Sequence, residues 1–250
     1  MSDPIHERFD RVADGYAMYR PTYDQSLIDL IADHCVEHRL VWEPGCGSGQ
    51  ATALLAKRFD HVLATDPSAR AIERAPTLDK ATFAVGAADQ CTLQDASVDL
   101  IASGQAAHWF DMADFAAEAT RVAAPGGVVA VWTYDRPRVD DVLNVSIDRL
   151  YYEVLAGCWA AGRHHVDTRY ASLDFPFEPV QIDPEPIRKR WTIDEMLGYL
   201  RTWSAVDAWR QQHDGDAVSQ VEGAMRSYWG DGQREVTWPI TVRMGKVHSP

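Results

Sequence analysis

The sequence predicts an open, mostly parallel, doubly wound α/β sheet. Three observations predict it: short apolar runs alternate with amphipathic stretches, a glycine-rich turn joins the first such run to a helix-like segment, and 250 residues suffice for one large domain with a smaller insertion. The turn reads VWEPGCGSGQATA over 41–53, with Gly45, Gly47 and Gly49 at alternate positions. Glycines so spaced let the backbone come close to a ligand at the start of a helix.

The elements follow in order. DQSLIDLIADHCVEH (24–38) opens with Asp24, a residue suited to cap, and sets Leu27, Ile28, Ile31, Cys35 and Val36 on one stripe, so a helix is predicted. LVWE is the first strand, ATALLAKRF a helix, HVLATD a buried strand, ARAIERA a helix, and ATFAVGA and VDLIASG two further strands. Asp111 caps a helix over MADFAAEATRVA, Pro125-Gly126-Gly127 stops it, and VVAVW is the fifth strand. This βαβ rhythm is what builds a doubly wound sheet.

The second half is less regular. Leu143, Ile147, Leu150, Tyr151, Val154 and Leu155 recur at helical spacing over 140–159, and the Pro- and aromatic-rich YASLDFPFEPVQIDPEP then breaks the pattern. IRKRWT reads as a strand, Ile193 to Trp229 as helical, and REVTWPITVRMGKV as one final strand near an edge because of Pro239.

Composition narrows the function. Lys and Arg number 24 against 37 Asp and Glu, a net charge of −13, which argues against a nucleic-acid backbone or an anionic membrane surface as partner. Cys35, Cys46, Cys91 and Cys158 are widely spaced, with neither a C-x-x-C pair nor a His at metal spacing, so no disulfide framework or metal site is expected and a reducing cytoplasm fits. No apolar run reaches 18 residues, and MSDPIHERFD is polar and acidic where a signal peptide is basic and then apolar, so a soluble, unexported protein is expected.

The glycine turn excludes two ligands by spacing. A P-loop needs Lys and then Ser or Thr after its last glycine, but Gln50 and Ala51 follow Gly49. The dinucleotide fingerprint needs a third glycine where Gln50 or Thr52 stands. What remains is E-x-G-x-G-x-G, with Glu43 closing its strand and Asp66 closing the next. Carboxylates at the C-terminal edge of such a sheet stand where ligands bind. Asp66 can accept both hydroxyl protons of a ribose, Asp89 in GAADQ can accept from an exocyclic amine, and Ala88 can offer a backbone N–H to the ring. Together these residues describe an adenosine site.

At these residues the chain resembles the class I S-adenosylmethionine-dependent methyltransferases. EPGCGSG is similar to that family's first motif, TDPS to its second, GAADQ to its third, and VDLIASGQAAHWF to its fourth strand and the loop that carries methyl-transfer residues. The resemblance spans roughly 40–133, and four motifs in the right order make it specific. FDRVADGYAMYRPTYD and LRTWSAV resemble the methyltransferase type 11 group, in its small-molecule branch of trans-aconitate methyltransferase-like enzymes. The resemblance implies a Rossmann-like seven-stranded sheet, mostly parallel with an antiparallel last strand, plus a helical cap insertion. It implies one methyltransferase domain over 1–250: an N-terminal lid or helix (1–38), a cofactor-binding core (40–133), a helical cap with a late strand (140–230) and a final strand (234–247).

It implies S-adenosyl-L-methionine as cofactor, with Glu43 near the amino group, the backbone of Gly45, Cys46, Gly47 and Gly49 beneath, and Asp66 with Pro67 at the ribose. Ala88 and Asp89 meet the adenine, and the carbonyl near Gln105 helps hold the methionine amino group. His108, Trp109 and Tyr16 are the catalytic candidates, and Tyr19 and Arg20 the substrate-binding ones. Each also has a plain structural reading: His108 as a satisfied polar residue, Trp109 and Trp132 as core, Tyr16, Tyr19 and Arg20 as a packed N-terminal helix.

A hydroxyl acceptor needs a base such as His108, whereas a carboxylate needs only positioning by Arg20 or by Arg163, His164, His165 and Arg169. Strand four lacks the [DN]-P-P-[YF] run of enzymes that methylate base amines, and no metal-binding acid cluster follows it. The expectation is methyl transfer to a small molecule, on a carboxylate or hydroxyl oxygen, by a monomer or homodimer without nucleic-acid or membrane partner. A non-catalytic S-adenosylmethionine-binding protein and an NAD-dependent oxidoreductase are the alternatives.

Overall fold

The computed structural model describes residues 19–247. Its strands are β1 (Leu40–Pro44), β2 (His61–Asp66), β3 (Ala81–Val85), β4 (Val98–Gly104), β5 (Ala123–Tyr134), β6 (Glu178–Val180), β7 (Ile187–Trp191), β8 (Arg234–Trp238) and β9 (Ile240–Lys246). Seven of them form one sheet in the order β3-β2-β1-β4-β5-β9-β6, and β7 pairs with β8 alone. From β3 to β5 all neighbours are parallel, while β9 runs antiparallel to both β5 and β6. The seven-stranded, mostly parallel sheet with an antiparallel last strand is therefore present.

The chain divides into two compact units. One holds residues 23–135, 164–185 and the segment from Ile240 onward, and so contains the seven-stranded sheet. The other holds 136–163 and 186–239 with the described residues before Tyr23, and contains the β7–β8 ribbon.

In the sheet unit, the apolar runs of β1, β2 and β4 are buried along nearly their whole length, as parallel strands covered on both faces require. Trp42, Ile101, Val129 and Val131 pack there with Phe115, Ala119 and Val122 of the helix Met112–Val122. Asp111 caps that helix as predicted, accepting from the backbone N–H groups of Ala113 and Asp114. Asp99 ties the start of β4 to β1 by accepting from the N–H groups of Arg39 and Leu40 at 2.8 and 3.0 Å.

Several elements differ from expectation. The first helix is Gln25–Ala32 and ends before Cys35 and Val36, because three-residue turns from His34 to Ile31 and from Cys35 to Ala32 unwind it. The helix after the glycine turn is only Thr52–Leu55, and the remainder of ATALLAKRF tightens into the same kind of turn. β5 starts at Ala123, directly after the preceding helix, and carries Pro125-Gly126-Gly127 inside it across a register shift. Gly126 takes φ 79°, which absorbs the irregularity.

The expected final strand is two strands that meet at Pro239 and belong to different sheets, with β9 set inside its sheet between β5 and β6. The short strand β6 falls in the segment read as irregular. In the second unit, 140–159 becomes a helix over Asp141–Arg149 that widens at Leu150–Val154, where the N–H of Leu155 bonds back five residues to Leu150 at 3.0 Å. The later helical text is three helices, Ile193–Arg201, Ser204–Arg210 and Ser219–Trp229. Among the described residues no helix is long and apolar enough to cross a membrane.

Candidate active site

Strand order brings the singled-out residues of β1 to β4 to one edge of the sheet. β1 lies between β2 and β4, and β2 lies beside β3, so the segments after all four strands open on the same C-terminal side. The glycine loop is fixed there by its own backbone. Gly45 and Cys46 donate their N–H groups to the Thr65 carbonyl at 2.7 and 3.0 Å, and Gly49 donates to the Cys46 carbonyl at 3.0 Å.

All three glycines take left-handed backbone, with φ of 71°, 56° and 87°. They differ in what a side chain would meet. A Cβ on Gly45 would stand 2.5 Å from the Cβ of Ala106, and one on Gly49 would stand 2.8 Å from the Phe83 ring. A Cβ on Gly47 meets nothing within 4 Å. Gly45 and Gly49 are thus glycines because the protein fills the space, and Gly47 faces open space. A left-handed glycine beneath an open face, beside a strand-end carboxylate, fits a nucleoside cofactor lying over the loop.

Asp66, at the end of β2, is held by the loops beside it. One of its oxygens accepts the Gly47 N–H at 2.9 Å and the other accepts the Ser68 N–H at 2.9 Å. A carboxylate oxygen has capacity for more than one hydrogen bond, so both can also receive hydroxyls. Glu43 is buried, and its Oε2 accepts from the Thr52 hydroxyl at 2.5 Å. Burial pushes the Glu43 carboxyl up to about 8, with the charge of Asp66 acting in the same direction and the Thr52 hydrogen bond opposing both. Burial likewise raises the Cys46 thiol. Ala88 is half-buried against the core, while Asp89 and Pro67 are exposed.

Beyond β4 the backbone is bent. Gln105 is a non-glycine residue at φ 59°, its N–H donates to the Trp132 carbonyl at 2.8 Å, and its Oε1 accepts from the Thr133 hydroxyl at 2.7 Å. Such a conformation costs about 1 kcal/mol or more and persists where neighbours over-determine it. Trp132 is fully buried and lies against Gly104, where an added Cβ would come 2.8 Å from the indole, so it belongs to the core. His108 and Trp109 sit in the tight turn Ala107–Trp109, ring centroids 4.8 Å apart.

Nδ1 of His108 lies 3.1 Å from the hydroxyl of Tyr170, a fully buried residue that sequence reasoning did not single out. Arg169 and Tyr170 are consecutive left-handed residues, at φ 53° and 60°. Their turn is held by the Tyr170 N–H on the His165 carbonyl at 2.7 Å, by Arg243 donating to the Tyr170 carbonyl at 2.8 Å, and by Arg169 at 3.7 Å from Asp135. Thr52 was also missed. Nothing in the local pattern marks either residue, because each acquires its role from a partner distant in the chain.

Tyr19 and Arg20 belong to the second unit. Tyr19 packs where a side chain on Gly198 would fall, and Arg20 donates to the Thr202 carbonyl at 3.0 Å with its guanidinium 5.7 Å from the Tyr199 ring centroid. Tyr16 lies outside the described residues.

Comparison with known proteins identifies the family. Residues 42–131 match the family model described as a methyltransferase domain. A protein of Dictyostelium discoideum described as a methyltransferase is 31% identical over 249 residues, covering 96% of this chain and 95% of that one. A methyltransferase of Aspergillus candidus is 30% identical over 155 residues, 56% of this chain and 48% of its own. Among solved structures, a protein of Anaeromyxobacter dehalogenans described as a type II methyltransferase is 40% identical with a TM-score of 0.87, over 93% of this chain and 100% of that one.

Proposed function

We propose that this chain, which belongs to the class I S-adenosylmethionine-dependent methyltransferases, transfers the sulfonium methyl group to an oxygen of a small-molecule acceptor, a carboxylate or a hydroxyl. Membership disposes of the oxidoreductase alternative and makes the protein an enzyme. The choice of acceptor is our reading of the site. The observation that carries it is His108, placed in the turn after β4 with its ring held by Tyr170, where enzymes acting on base amines carry a [DN]-P-P-[YF] run.

In this reading Asp66 takes the ribose hydroxyls with Pro67 beside them, and Ala88 and Asp89 meet the adenine. Glu43 and the carbonyl near Gln105 hold the methionine amino group, and the backbone from Gly45 through Cys46 and Gly47 to Gly49 lies beneath. Tyr19 and Arg20 remain acceptor-side residues, and His108 with Trp109 adjoins the reacting atoms.

When bound, S-adenosylmethionine supplies an electrophilic methyl carbon: the acceptor oxygen bonds to it as the C–S bond breaks, and the electron pair of that bond stays on the sulfur of S-adenosylhomocysteine. The protein's own contribution is orientation and exclusion of water. For a hydroxyl, His108 takes the proton; for a carboxylate, it donates a hydrogen bond. The test is release of S-adenosylhomocysteine from cofactor-saturated enzyme across a panel of small carboxylic acids and phenols. Turnover with members of that panel is the expected result. Turnover confined to amines or nucleic acid would reject the reading.

A further inference from the structure

Between β3 and β4 the chain runs from Gly86 to Ser97 without helix or strand, and this segment carries Ala88 and Asp89. Its ends are tied by main chain. The Gly86 N–H donates to the Asp66 carbonyl at 3.1 Å, and those of Ala96 and Ser97 donate to the Arg121 and Val122 carbonyls at 3.0 and 2.8 Å. Its middle is tied by two side chains. Oε1 of Glu118 accepts the Cys91 N–H at 2.7 Å, and Nη1 of Arg121 donates to the Leu93 carbonyl at 3.0 Å and to the Asp95 carboxylate at 2.6 Å.

Both side chains come from the helix Met112–Val122, which Asp111 caps and which Phe115, Ala119 and Val122 anchor in the core. They also hold each other. Nε and Nη2 of Arg121 meet the two oxygens of Glu118 at 2.8 and 2.7 Å, a two-point pairing that needs a planar guanidinium. An ion pair at this spacing on an exposed helix face contributes little, but Glu118 is buried, where a carboxylate is costly unless its partners are in place. The bond from Arg121 brings the Glu118 carboxyl down to about 2 against the opposing effect of burial, with the Cys91 N–H assisting, so the pair is intact at neutral pH.

We infer that Glu118 and Arg121 are positioning residues for the adenine end of the cofactor, acting through the segment that carries Ala88 and Asp89. The inference rests on the reading above in which those two residues meet the adenine. Asp89 is itself exposed, so its carboxylate is placed through the backbone that flanks it. Cys91, whose N–H Glu118 holds, stands two positions further on, and Ala88, Cys91 and Leu93 lean on the core. A hydrogen bond to an exocyclic amine is lost when its acceptor moves by about 1 Å.

Calorimetric titration with two nucleosides tests it: S-adenosylhomocysteine, and S-inosylhomocysteine, which has an oxygen in place of the exocyclic amine. The wild type should favour the first by about tenfold or more, and Asp89→Ala should remove most of that preference. Glu118→Gln keeps the size and removes the charge, and should reduce the preference by about fivefold or more. In the Asp89→Ala background it should add much less, because the two act as one. Arg121→Lys keeps the positive charge but cannot fork to Glu118 and reach Leu93 and Asp95 as well; it should act in the same direction, and it stands in if Glu118→Gln does not fold. A preference that stays at the wild-type value in these variants, even with a lowered melting temperature, overturns the inference and leaves the pair as a stability element alone. A loss on Glu118→Gln that is undiminished in the Asp89→Ala background overturns it too. Equal binding of the two nucleosides by the wild type would instead reject the placement of Asp89 at the adenine, and the inference with it.

Discussion

Replacing Gly47 by Ala should separate cofactor binding from stability, and the comparison that shows it is Gly45→Ala in the same loop. At Gly47 the added Cβ meets no protein atom within 4 Å, so its only structural cost is the left-handed backbone at φ 56°. That cost is about 1 kcal/mol, which lowers the melting temperature by roughly 2–4 °C for a chain of this size. At Gly45 the same conformational cost, at φ 71°, is joined by a contact of 2.5 Å with Ala106 and one of 3.3 Å with Phe110. Carbon atoms settle at about 3.5–4.0 Å, so the loop or the residues after β4 must move by about 1 Å. Overpacking of this kind costs about 1–3 kcal/mol more.

The affinities should follow the other order relative to stability. In the proposed placement the Gly47 methyl takes up space needed by the nucleoside, and at least a tenfold loss, about 1.4 kcal/mol, is expected in protein that still folds well. Gly47→Val should enlarge that loss. Thermal unfolding with and without S-adenosylhomocysteine, with calorimetric titration, measures both quantities. If Gly47→Ala binds the nucleoside as the wild type does, or unfolds as early as Gly45→Ala, the placement of the cofactor over Gly47 is wrong.

Three further outcomes are expected. Glu43 holds its proton in the folded protein up to about 8 against 4.5 ordinarily, so folding takes up a proton between those values and stability falls as pH rises through that window, by at most about 5 kcal/mol. Glu43→Gln should flatten that part of the curve in urea titrations at successive pH, and an unchanged slope would show that the carboxyl is ionised in the fold. Asp66→Ala should weaken S-adenosylmethionine and S-adenosylhomocysteine alike, by about 1.5–3 kcal/mol for a charged acceptor, and should destabilise the free protein because the N–H groups of Gly47 and Ser68 lose their partner; equilibrium dialysis and melting curves check the two effects. Arg20→Lys keeps the charge but loses the planar fork, so KM for an acid acceptor should rise while cofactor affinity holds; a lowered melting temperature with unchanged KM would instead reduce Arg20 to its bond with the Thr202 carbonyl.

The conformation of the glycine loop was legible because its residues are contiguous. A motif such as EPGCGSG holds its chemistry in backbone conformation, and conformation at a glycine is written at that glycine. Thr52 and Tyr170 could not be read in this way, since their partners Glu43 and His108 lie 9 and 62 positions away. In the fold, the parallel strands were legible as apolar runs bounded by polar ends. The pair β8 and β9 was not, for a specific reason: Val236, Trp238, Ile240, Val242 and Met244 keep a period of two straight across Pro239. Alternation reports which face a residue takes within a strand, and says nothing about the sheet the strand joins. Three-residue β6, with Pro179 at its centre, had too little text to register at all.

The position of β9 has a consequence for how the chain is made. β5 gains its outer neighbour only when β9 pairs with it, and about a hundred residues separate Tyr134 from Ile240. At typical ribosomal speeds, about 5–20 residues per second, the long apolar edge of β5 leaves the ribosome some 5–20 s before the strand that covers it. During that interval the nascent protein presents an open template to any other extended segment, its own or a neighbour's, and this is the stage at which a chaperone has most to shield. A chain whose synthesis stopped short of Ile240 would keep that edge bare for good, and would be expected to aggregate although every residue of its glycine loop had been made.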